Sequence, residues 1–150
     1  MRSPPESGRQ YPGVLVIGIG NLLRGDDAAG PFAARELRRR GFRTLDVHQL
    51  TPELAEPVSR ARRVIFIDSS AELAAGEVRR EALAEGAGPV LEHTASPGAV
   101  LRLARQVYGA APEAVLISIG AQTYELGRPL SDPVRRAIQC LLTPGRRSGI

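Results

Sequence analysis

Gly13-Val14-Leu15-Val16-Ile17-Gly18-Ile19-Gly20-Asn21-Leu22-Leu23-Arg24-Gly25-Asp26-Asp27 is the stretch on which the reading of this chain turns. Its first part is a continuous apolar run, Val14-Leu15-Val16-Ile17, closed by glycine at both ends. A strand covered on both faces of a parallel sheet has that pattern. Val64-Ile65-Phe66-Ile67 and Val115-Leu116-Ile117-Ser118-Ile119 repeat it, so three central strands are expected.

Helical patterns lie between and after these runs. Residues 31–40 read as a helix stopped by Gly41. Ser96-Pro97 opens another, with apolar Val100, Leu103, Ala104, Val107 and Tyr108 and a stop at Gly109, since serine before proline is a helix-start signal. Ser131 opens the last, where Val134, Ala137, Ile138, Leu141 and Leu142 make one stripe before Thr143-Pro144-Gly145. Residues 42–50 alternate weakly and read as a strand. Thr51-Pro52 then starts a short helix that Pro57 kinks or shortens. Residues 76–83 carry four charges, which suits an edge strand guarded against aggregation. The order β-α-β-α-β-β-α-β-α predicts a three-layer, doubly wound, mostly parallel five-stranded sheet with one antiparallel edge strand, flavodoxin-like. The expected organisation is a disordered leader over residues 1–12, a single α/β domain over 13–142 and a flexible tail over 143–150.

A chain of 150 residues with 43% hydrophobic content has room for one core and not for two catalytic domains. All twenty of its basic residues are arginine, scattered along the chain, and the net charge is only +4. No nucleic-acid surface is expected from them. Arg38-Arg39-Arg40, the densest run, falls at a predicted helix end, where cations complement the dipole. Cys140 is the lone cysteine. That rules out an intrachain disulfide and points to a reducing, cytoplasmic compartment. No apolar run approaches the roughly 18 residues of a membrane span, and the N-terminus lacks the basic-then-apolar order of a signal peptide.

In doubly wound sheets the functional crevice lies beyond the carboxyl ends of the strands, where strand order reverses. The first strand runs into Asp26 and Asp27, and the third ends in Asp68, so two carboxylates are expected at one crevice. Paired acids there raise one another's pKa unless a cation neutralises them. The glycines are not a dinucleotide fingerprint: Leu23 stands where the third glycine belongs, and the acids that follow would repel a pyrophosphate. Asp26 is expected to cap the following helix, and Asp27 to face the site. His93 precedes the helix opened by Ser96-Pro97. One imidazole with two carboxylates suits a borderline ion such as nickel, zinc, manganese or iron. His48, the other histidine, reads as a packed or hydrogen-bonded strand-end side chain or as a support to the site. Ser118 and Cys140 read as strand-interior and helix residues, not as nucleophiles. Residues 120–127, after the fifth strand, read as a cleft lining or an ordinary connection.

With these residues in place, the chain resembles the [NiFe]-hydrogenase maturation proteases. Gly18-Ile19-Gly20-Asn21-Leu22-Leu23-Arg24-Gly25-Asp26-Asp27-Ala28-Ala29-Gly30, Val64-Ile65-Phe66-Ile67-Asp68 and residues 93–108 carry the likeness, and element order extends it over nearly the whole chain. The resemblance implies a flavodoxin-like, or phosphorylase-hydrolase-like, endopeptidase, aspartic-type by family assignment. Its substrate would be the [NiFe]-hydrogenase large-subunit precursor, from which it removes a C-terminal extension after nickel insertion. The substrate supplies the nickel, and no organic cofactor is implied. Asp27, Asp68 and His93 match the nickel-recognising positions, with Asp27 and Asp68 also catalytic, and Gly20, Asn21, Asp26 and Tyr124 stand as substrate contacts. In some members the histidine sits at the helix start, near Gly98 here. Two other classes remain open at this point: a small-substrate hydrolase holding its own metal, and a non-enzymatic nickel- or nucleotide-binding module.

Overall fold

The apolar runs form strands in a parallel sheet. The computed structural model describes residues 11–86, 95–143 and 150. In chain order its elements are β1 (Val14–Ile19), α1 (Ala29–Arg39), β2 (Arg43–Val47), α2 (Ala55–Arg60), β3 (Arg63–Ser70), β4 (Val78–Leu83), α3 (Pro97–Tyr108), β5 (Glu113–Gly120) and α4 (Asp132–Leu142). The sheet order is β2-β1-β3-β5-β4, with β4 antiparallel to β5 and the other pairs parallel. This is the expected doubly wound sheet with an antiparallel edge. Strand order reverses between β1 and β3.

Alternation along the strands sorts the core into two layers. Leu15, Ile17, Ile19, Val64 and Phe66 pack with Ala55 and Val58 of α2 and with Ala99, Val100, Leu101 and Ala104 of α3. Val16, Ile65, Ile67, Ile117 and Ile119 pack with α1 and with the α4 stripe Val134, Ala137, Ile138, Leu141 and Leu142. Every residue of that predicted stripe is buried. The short α2 tolerates Pro57 because it lies in the first turn, where its missing N–H has no partner to lose. Ser96 caps α3 by accepting from Ala99 N at 3.1 Å.

The starts and ends of two elements show where the structure departs from the sequence reading. Helix α1 starts at Ala29, two residues early, because Gly30 must lie flat on the sheet. Strand β3 runs on to Ser70, since pairing with β5 carries the polar residues Asp68, Ser69 and Ser70. Of the expected leader and tail, residues 1–10 and 144–149 lie outside the described residues; Tyr11 stacks on Phe42 with ring centroids 3.8 Å apart, and Ile150 packs against the α1–α4 layer. The arginine run is tied locally: Arg38 Nε donates to Thr44 Oγ1 at 2.8 Å, Arg39 pairs with Glu36, and Arg40 reaches the Leu142 carbonyl. Among the described residues no helix is long and apolar enough to cross a membrane.

Glycine contacts place the crevice. A Cβ on Gly30 would stand 2.3 Å from the Ile67 carbonyl oxygen and 2.5 Å from that of Ile19. The first turn of α1 therefore rests directly on the ends of β1 and β3. Gly18 faces the same contact, where a Cβ would lie 2.3 Å from the Gly30 oxygen. The carbonyls are held in the sheet and cannot yield without moving a strand. Gly30→Ala is expected to cost about 1–3 kcal/mol, the range for overpacking a tight core, as a lower denaturation midpoint. An unchanged midpoint would mean that α1 can lift off the sheet freely.

Candidate active site

Asp27 lies three residues before Gly30, and Asp68 lies one residue after Ile67. The close seating of α1 thus delivers both carboxylates to one edge. The loop from Gly20 to Asp27 folds back on itself to do so. Gly20 N–H donates to the Val47 carbonyl at 2.9 Å, and Asn21 N–H donates to Asp27 Oδ2 at 2.8 Å. Asn21 Oδ1 accepts from Leu23 N at 2.9 Å, closing the turn. Gly20 has φ +145°, and a Cβ there would sit 1.8 Å from the Asp27 carbonyl oxygen. Gly20 and Asn21 thus shape and hold the Asp27 loop.

Asp68 stands just past the last β1–β3 pair, Gly18 with Ile67, while still paired to Ser118 of β5. Its flank toward β1 is left open for Asp27. Burial drives the Asp68 pKa up to about 6, against the Ser69 N–H bond and with a smaller push from the Asp27 charge. Mutual repulsion was the cause anticipated from sequence, yet desolvation is the larger one here. Ser69 joins the two acids: its N–H donates to Asp68 Oδ1 at 2.8 Å and its hydroxyl to Asp27 Oδ1 at 3.2 Å. Tyr124 OH donates to Ser69 Oγ, also at 3.2 Å. Burial raises the Tyr124 pKa, offset by the Ser69 bond and supported by the charges of Asp27, Asp68 and Asp26. This phenol is a neutral donor at neutral pH.

Asp26 does not cap the helix that follows it. No side-chain bond caps the turn Gly25–Ala28 or α1. The Asp26 side chain is instead wholly buried and reaches across the chain. Its carboxylate accepts from Gln122 N at 2.8 Å, Thr123 N at 3.2 Å, Ser131 N at 2.7 Å and Ser131 Oγ at 2.8 Å. Burial opposes its ionisation, but these donors together hold its carboxyl below the usual range. It staples residues 122–131 to the β1 loop, and that staple positions Tyr124.

His93 lies outside the described residues. Among the described residues no three histidine, cysteine or acidic side chains cluster closely enough to hold a metal. His48 is exposed, neither packed nor buried, on a groove of about 320 Å³ that it shares with Gly20, Asn21, Leu22, Pro31 and Asp46. Ser118 lies inside β5, and Cys140 is exposed on α4. Sequence reasoning assigned Ser69 no role of its own. The Asp-Ser pair at a central strand end was the available signal for its role.

No protein-family model and no curated protein matches the sequence. Solved structures do. The [NiFe] hydrogenase maturation protease HybD from Thermococcus kodakarensis is 30% identical, with a TM-score of 0.65 over 85% of this chain and 92% of its own. This chain belongs to the [NiFe] hydrogenase maturation protease family. The E. coli hydrogenase maturating endopeptidase HybD, at 22% identity, shares the fold with a TM-score of 0.67 over 85% of each chain. The protease HycI from Thermococcus kodakarensis KOD1 does so at 20% identity, with a TM-score of 0.68 over 85% of this chain and 86% of its own. In this member of the maturation protease family, the crevice at the strand-order reversal holds two carboxylates and two hydroxyls in one hydrogen-bonded set.

Proposed function

We propose that this protein is an endopeptidase that removes a C-terminal extension from the nickel-loaded large-subunit precursor of a [NiFe] hydrogenase. The observation that carries the reading is the meeting of Asp27 and Asp68 across the β1–β3 junction, joined through Ser69. Two carboxylates brought together beside a desolvated edge favour a cation between them. Asp27, Asp68 and His93 are the nickel-recognising set in this proposal. Nickel arrives with the substrate, and no organic cofactor takes part. The protein works in the cytoplasm, in keeping with a single cysteine and no disulfide.

Metal recognition solves a selectivity problem. A peptide bond in an unfinished precursor differs little from the same bond after metal insertion. An enzyme that grips the precursor through the ion cuts only the loaded form. Asp68 loses its residual proton as the cation approaches, because a carboxylate must be ionised to ligate. With Asp68 ionised, the two carboxylates are also placed to accept a proton from an attacking water. Incubation with nickel-loaded and nickel-free precursor tests the reading. Only the loaded form is expected to be shortened, as read by mass spectrometry. Equal cleavage of both forms, or of neither, would defeat it.

A further inference from the structure

Ser69 and Tyr124 form a chain whose direction is dictated by chemistry. An ionised carboxylate can only accept, so the single Ser69 hydroxyl proton must go to Asp27 Oδ1. That leaves Ser69 Oγ as an acceptor, and Tyr124 supplies the donor. The Ser69 main chain meanwhile donates to Asp68 Oδ1. One residue of β3 therefore touches both acids, and a phenol from the loop after β5 fixes its rotamer. Asp68 Oδ2 accepts no hydrogen bond among the described residues and stays available to a ligand.

We propose that Ser69 and Tyr124 are a positioning pair that sets the separation and orientation of the Asp27 and Asp68 carboxylates, so that both meet a divalent cation in one geometry. The inference rests on the reading that these acids recognise nickel. Both residues act through Asp27 and Asp68. Ser69 and Tyr124 are partly exposed, so water can replace either bond and folding changes little. What water cannot replace is the fixed angle, since groups that hold a ligand's orientation govern metal affinity and turnover.

The test uses the full chain with Tyr124→Phe, Ser69→Ala and Ser69→Thr, read by cleavage of nickel-loaded precursor and by calorimetric titration with Ni²⁺ alone. Tyr124→Phe is expected to lower kcat about tenfold, and Ser69→Ala about 10- to 100-fold, the span typical of groups that orient metal ligands. The thermal midpoint should hold, and KM should rise in step with the weaker Ni²⁺ binding. Ser69→Thr, which keeps the hydroxyl, should recover most of the rate. Wild-type rates in both Tyr124→Phe and Ser69→Ala would overturn the pair and leave the nickel reading standing. If the wild type fails to distinguish loaded precursor, that reading falls and the Ni²⁺ titration decides the pair alone. About tenfold weaker binding in both variants sustains it; equal binding, or none in the wild type, overturns it.

Discussion

Asp68→Asn should lower cleavage of nickel-loaded precursor by about 100-fold or more, the scale of losing a group that takes part in proton transfer or metal contact, while leaving the protein at least as stable near pH 7. The two effects have one origin. Asparagine keeps an oxygen for the Ser69 N–H, so the local geometry is retained. What it removes is a charge that the site holds at a cost. The Asp68 pKa is raised from 3.8 to about 6 by burial first and by the Asp27 charge last. The folded state therefore binds this proton more tightly than the unfolded chain does. Its stabilising contribution is fully present below pH 3.8 and is lost as pH rises to about 6. Above that range the wild type carries the whole penalty, and Asp68→Asn escapes it. Wild-type activity should move the other way, rising as pH passes through about 6 and Asp68 ionises. Rate profiles and denaturation curves from pH 4 to 8 check both halves. A variant that cleaves within severalfold of wild type would remove Asp68 from the machinery.

This opposition also explains which parts of the molecule were legible in the sequence. Val14-Leu15-Val16-Ile17 and its two counterparts announce buried parallel strands because a strand covered on both faces needs no polar side. Handedness and short connections then leave few topologies, so the reversal between β1 and β3 follows from element order. Asp68 could be placed at the crevice because it follows directly on an apolar run, and Asp27 because the loop leaving the first run carries it. The supporting set was beyond the same reasoning. Tyr124 reaches Ser69 across 55 positions and Ser131 reaches Asp26 across 105, and neither meeting leaves a local pattern. Asp26 sits at a position where a helix cap is common, but the N–H groups and the hydroxyl of a distant loop take its oxygens. Similarly, β3 extends through Asp68-Ser69-Ser70 because β5 offers a pairing partner, although their polarity suggests an ending.

The second large effect belongs to that misread acid. Asp26→Ala should cost about 3–5 kcal/mol, the loss of several hydrogen bonds to a charged group worth about 1.5–3 kcal/mol each and partly replaced by water, and lower the thermal midpoint by roughly 10 °C or more. Truncation leaves the N–H groups of Gln122, Thr123 and Ser131 and the Ser131 hydroxyl without their acceptor. Each stranded buried donor costs about 1–3 kcal/mol when water does not reach it. Asp26→Asn keeps one oxygen but turns an amide toward donors, so it should fall between Ala and the wild type. The pH signature is opposite to that of Asp68. Donors hold the Asp26 carboxyl below its ordinary range, so its stabilising contribution is present above pH 3.8 and fades as pH falls through its lower folded value. Asp26→Ala should therefore lose its disadvantage in acid. A substrate contact would behave differently, raising KM at an unchanged midpoint, and that result would return Asp26 to the cleft. The expected result places the acid pair in two jobs: Asp26 holds the loop that carries Tyr124, and Asp27 receives the hydroxyl which that tyrosine orients.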